Sequence, residues 1–170
     1  MKRVIVLGVI LAALIILARL EGSALHASAP IILNSSPLAT AALIFAHNSL
    51  AATVVAAGMS FYAALMDSLP ERLRRGEALV RRRAEPISAA LALLIVLNSL
   101  RSAGGLSALS LEAASFLLPV AAVETYGLYL AALFPLKGRA TAANLAKVYA
   151  VFLVGAILEA ALIAISIHLY

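Results

Sequence analysis

Apolar runs at about 4–20, 38–66, 87–103, 109–134 and 148–169 take up most of the chain. Each approaches the roughly 20 residues with which an α-helix crosses about 30 Å of hydrocarbon. In lipid every backbone donor and acceptor must be satisfied within the structure itself, and uninterrupted apolar runs do this as helices. The pattern therefore predicts an all-α fold: a polytopic helical membrane protein with about five transmembrane helices. Composition agrees, with 64% hydrophobic residues, 12% charged residues and a mean hydropathy of +1.06, against about 25% charged in soluble domains. At 170 residues the spans leave no room for a separate soluble domain, so residues 1–170 are expected to form a single integral membrane domain of a multi-pass cell-membrane protein.

The net charge of +5 and pI near 10.0 would suit a nucleic-acid binder, but the basic residues gather at the ends of the apolar runs, as topology signals do. The stretch 67–86 carries Arg72, Arg74, Arg75, Arg81, Arg82 and Arg83 against Asp67, Glu71, Glu77 and Glu85. A cytoplasmic loop is its expected meaning. With the N-terminus cytoplasmic, Lys2, Arg3, those six Arg, Lys137, Arg139 and Lys147 lie inside, while Arg19 and Arg101 lie outside. Eleven against two satisfies the positive-inside rule and puts the C-terminus outside. Arg74, Arg75, Arg81 and Arg82 are candidates for contact with lipid headgroups or a protein partner. No nucleic-acid partner is expected.

The first run is short enough for a signal peptide. Its one good small-residue site, Ala27-Ser28-Ala29, is followed by Pro30, which disfavours cleavage, so a retained span is expected with an external segment over residues 20–37. Asn34-Ser35-Ser36 matches the glycosylation pattern, with little weight beside a membrane. In the second run, four-residue steps from Asn48 land on Ala52, Ala56, Ser60 and Ala64. Small residues on one face let membrane helices approach closely, and Gly127 and Gly155 are candidates for the same role in later spans. The third run is short, with Asn98 and Arg101 ahead of Gly104-Gly105, and is expected to thin the bilayer, let Arg101 snorkel, or be partly re-entrant.

From Leu117 to Leu133 the chain is apolar except near Glu124, five residues after Pro119. A carboxylate at the bilayer centre costs about 2.5–3.5 kcal/mol even on lenient scales, so Glu124 is expected to be neutral or to face a protein-lined polar site. Pro119 is a candidate helix kink that frees the carbonyl of Ser115. Glu159 sits at the centre of the last run, and His47 and Asn48 lie slightly outward of the middle of the second. These four meet at similar depth if the fourth and fifth spans are antiparallel neighbours. Two expectations stay open: an intramembrane polar site of His47, Asn48, Glu124 and Glu159 that shares a proton or takes a cation, or a set of interhelical hydrogen bonds. No Cys is present and the three His are scattered; no metal-ligand spacing, nucleophile elbow or phosphate loop occurs, so neither an enzyme, a cofactor nor a metal is expected.

Phe45-Ala46-His47-Asn48 with Gly58, then Leu97-Asn98-Ser99, then Pro119-Val120-Ala121-Ala122-Val123-Glu124 with Gly127, resembles the stage II sporulation protein M (SpoIIM-like) family of multi-span membrane proteins over residues 40–165. Val120 and Ala121 stand where that family has His and Gly, and Ser99 where it has Gly. The resemblance implies a non-catalytic membrane component of a protein assembly, one that recruits or positions partners. The expected partners are the lipid bilayer and either a second copy or another membrane protein. The alternative is a small transporter or channel-like subunit whose buried Glu residues couple to a proton or cation.

Overall fold

The computed structural model describes residues 2–32, 36–70, 75–102 and 111–169, with side chains described within 4–21, 36–70, 78–97 and 118–165. The described residues form six helices: α1 (Lys2–Ile32), α2 (Pro37–Asp67), α3 (Arg75–Arg82), α4 (Ala84–Ser102), α5 (Leu111–Leu136) and α6 (Ala142–Leu169). No strand occurs among them. The five long helices are apolar all round, as suits segments that meet lipid or protein on every side, while α3 is strongly one-sided.

Among the described residues, four stretches are long and apolar enough to cross a membrane: Val4–Glu21, Pro37–Asp67, Leu118–Leu136 and Ala142–Ile165. The third expected span corresponds to the shorter apolar helix Ala84–Leu97, beyond which Asn98 and Arg101 interrupt the apolar sequence.

The elements run past the hydropathy boundaries in both directions. The first helix does not end near residue 20, and much of the expected external segment is its continuation to Ile32. Its 31 residues rise about 46 Å, more than a hydrocarbon core requires. The Arg-rich stretch is likewise not all loop, since α3 forms within it and α4 begins at Ala84. Ala84 is 1% exposed and packs with Leu133 and Leu136, so burial draws the start of α4 back into the charged stretch.

Packing is organised around α2, which meets α1, α5 and α6, while α5 also meets α4. Small residues make this possible: Ala52 and Ala92 are fully buried and share a core with Leu128, Ala131, Val148 and Phe152. Phe152 lies over Gly127, where a Cβ would come within 2.7 Å of its ring. The glycine therefore admits an aromatic side chain rather than a neighbouring backbone. Gly155 approaches α5 more directly, its Cβ position 3.3 Å from Val123 Cγ1 and 3.9 Å from Glu124 Cγ.

Helix ends are satisfied locally. At the start of α2 the Ser36 hydroxyl accepts from the Ala39 N–H, with Pro37 at the first helical position. α5 closes in a Schellman turn: the Gly138 N–H donates to the Pro135 carbonyl, the Arg139 N–H to that of Phe134, and Gly138 takes φ +68°. Thr141 then caps α6 by accepting from the Asn144 N–H. This turn, the end of α2, α3 and the start of α4 share one end of the bundle. Arg81 pairs with Asp67 at 2.9 Å, its guanidinium lies against Gly138, and Lys137 pairs with Glu85 at 2.5 Å.

Candidate functional site

Four helices bring polar side chains into one layer of an otherwise apolar bundle. From α2, the Asn48 amide donates to Glu124 Oε1 on α5 at 2.5 Å. One residue earlier on α2, His47 Nδ1 lies 2.9 Å from Glu21 Oε2 on α1. Consecutive helical positions point about 100° apart, so His47 and Asn48 serve different neighbours from one turn. Glu159 of α6 stands one turn beyond Gly155, whose open face lies against Glu124. It is close enough to interact electrostatically with both Glu124 and His47, and it makes no hydrogen bond or ion pair among the described residues.

The layer continues along α2 toward the basic end. The hydroxyls of Thr53 and Tyr149 meet at 2.8 Å, which ties α2 to α6, and the buried Ser49 hydroxyl has no hydrogen-bond partner among the described residues. Helix rise places Glu124 about 20 Å along α5 from Lys137, and Glu159 about 18 Å along α6 from Lys147. The two carboxyls therefore sit at matching distances from the basic end. Among the described residues no three His, Asp or Glu side chains converge to hold a metal ion. The arrangement offers three carboxyls, those of Glu21, Glu124 and Glu159, around one imidazole, with hydroxyls further along α2, which is a set of proton donors and acceptors.

Against known proteins, this chain matches no family model, no curated protein and no solved structure.

The geometry thus gathers Asn48 and Glu124 in direct contact and places Glu159 beside them, while His47 turns to Glu21 instead. Glu21 is the member the sequence reading missed: beside Arg19 at the end of the first apolar run, it looks like a boundary charge. Gly22 directly after it strengthens that appearance, and the signal for continuation was the absence of proline until Pro30. Pro119 lies inside α5, which remains helical from Leu111 to Leu136. Of the small-residue stripe, Ala52 is fully buried, whereas Ala56 and Ser60 border an open cleft. Arg81 is held by Asp67, and Arg82 ends α3 exposed. Arg74, Asn34-Ser35 and Gly104-Gly105 lie outside the described residues, as do the side chains of Arg75, Asn98 and Arg101.

Proposed function

We propose that this chain is a multi-pass membrane protein that acts as a non-catalytic component of a protein assembly, the role its SpoIIM-like sequence resemblance implies. In this reading α4 crosses as a fifth span, the N-terminus is cytoplasmic and the C-terminus lies outside. The observation that supports the assembly role is a cleft of about 300 Å³ between α1 and α6. Its floor is the small-residue face of α2 (Ala56, Ala57 and Ser60), and Ile10 and Leu14 of α1 form one wall. A transmembrane helix from a partner or a second copy gains close van der Waals contact there, which is what drives helix association where lipid removes the hydrophobic drive. Ala57→Leu and Ser60→Leu, which fill the cleft, are expected to abolish higher-order complexes seen by cross-linking in native membranes while leaving the folded chain in the bilayer. Complexes unchanged in both variants would refute this role.

The polar layer favours a second reading, transport of a proton or cation through Glu124 and Glu159. Glu159 lies near enough to Glu124 for the two carboxyls to interact electrostatically. In proteoliposomes, Glu124→Gln and Glu159→Gln should each abolish coupled flux if this reading holds. Wild-type flux in both would eliminate it.

A further inference from the structure

An open groove of about 530 Å³ lies where α3 meets α4, on the basic end of the bundle and away from the polar layer. Its walls are Leu79 and Val80 of α3 and Pro86, Ile87 and Ala90 of α4, and Arg83 stands at the joint between them. Leu79 remains 60% exposed and lies beside the exposed Pro86 and Ala90 along the groove, so its side chain is available to an apolar ligand. Arg81 and Lys137 at this end are committed to Asp67 and Glu85. The Arg83 guanidinium, by contrast, is exposed and makes no hydrogen bond or ion pair among the described residues.

We infer that this groove binds an anionic phospholipid, with its phosphate on Arg83 and an acyl chain along Ile87 and Ala90. Charge identifies the headgroup: an uncommitted guanidinium at the mouth of an apolar groove is matched by a phosphate on a hydrocarbon chain. Below the groove the same helix continues the track, because Leu93, Leu94 and Leu97 follow Ala90 at steps of three, four and seven and all are exposed. From Arg83 to Leu97 the helix descends about 21 Å, so a bound chain would stay against protein through much of one leaflet. α3 then acts as an interfacial clasp, with its apolar side on the lipid and its arginines at headgroup level.

This inference rests on the chain crossing a membrane, as proposed above, but on neither functional reading. The test is reconstitution of the full chain in vesicles of equal phosphatidylglycerol and phosphatidylcholine. Extraction in mild detergent follows, and retained lipid is counted by mass spectrometry of the intact complex. Phosphatidylglycerol should be retained in preference to phosphatidylcholine. Arg83→Gln should lower that preference about five-fold, and Leu79→Asn should reduce retention of both lipids. Arg139→Gln, at the same end but outside the groove, should leave the preference unchanged. Equal retention of the two lipids by the wild type, or an equal loss in Arg83→Gln and Arg139→Gln, would overturn the inference. A chain recovered without vesicles would instead overturn the membrane reading beneath it.

Discussion

The Asn48–Glu124 contact concentrates the physics of this chain in one pair. A carboxyl in an apolar bundle needs a donor, and Asn48 supplies one at 2.5 Å from a different helix. Asn48→Ala is therefore expected to destabilise the folded state by about 0.6–2 kcal/mol, the range of interhelical hydrogen bonds in membranes. Asn48→Asp should cost more, because it replaces a donor with a second acid, and Glu124→Gln should stay near wild type, since an amide still accepts from Asn48. Denaturant titration in detergent gives this order, and an Asn48→Asp protein as stable as Asn48→Ala would show that the pair is not in contact. At the surface, Glu85 tests electrostatics by pH. Its hydrogen bond from Lys137, and then the charge of that lysine, hold its carboxyl below the usual value of 4.5. A lowered folded-state pKa means the pair stabilises the fold above the unfolded value and loses that contribution as pH falls through the folded one. The stability gap between wild type and Glu85→Gln should thus be constant near neutrality and close in acid, remaining small throughout because the pair is exposed. Asn48, Glu124 and Glu159 were legible in the sequence because polar atoms stand out inside apolar runs. The pairing of His47 with Glu21 was not, since nothing local to either residue says that α1 brings a carboxylate to that height.

Between elements, α5 and α6 are joined by a ring over a glycine and by a turn that only glycine suits. Adding a methyl at Gly127 places it 2.7 Å from the Phe152 ring, which is 2% exposed and has little room to swing away. Overpacking of about 1–3 kcal/mol then outweighs the gain in helix propensity of about 1 kcal/mol, and Gly127→Ala should be destabilising. Phe152→Leu should recover part of the loss in the double variant. Additive losses in a double-mutant cycle would show that the two residues do not touch. Gly138→Ala should cost about 1–2 kcal/mol, because φ +68° is a left-handed conformation that a side chain disfavours. The positions of the apolar helices were readable from hydropathy, since lipid-compatible residues mark them plainly. Their ends were not, because hydropathy reports where apolar sequence stops, whereas a helix stops where its backbone hydrogen bonds stop. Arg19 and Glu21 end the first run without ending α1, and Ala84 starts α4 by burial against Leu133 and Leu136. The small-residue stripe was legible as a packing face, but the sequence did not show that Ala52 would be buried within the chain while Ser60 bordered a cleft.

For the whole molecule the decisive quantity is which end faces the cytoplasm. The fold gathers Asp67, Arg81, Glu85, Lys137 and Gly138 at one end, so the Arg-rich stretch and the α5–α6 turn must lie on the same side of any membrane the chain crosses. That requires α4 and α5 together to make an even number of crossings. If α4 crosses fully, residue 107 emerges on the opposite side; if α4 and α5 only dip in and return, it does not. In the proposed orientation the basic residues set the absolute direction, since lysines and arginines near span ends favour the cytoplasmic side. With no native cysteine, single substitutions can be read without background. Leu79→Cys and Arg139→Cys should be blocked to a membrane-impermeant thiol reagent in intact cells and labelled once the membrane is opened, whereas Ser107→Cys should be labelled in intact cells. Labelling of Leu79→Cys and Arg139→Cys from opposite sides would contradict the shared basic end and with it the fold. Both labelled from outside would keep the fold and invert its direction, moving the groove beside Arg83 to the outer leaflet. Protection of Ser107→Cys would leave α4 re-entrant and α5 with it, and the polar layer would then stand in a bundle of three crossings rather than five.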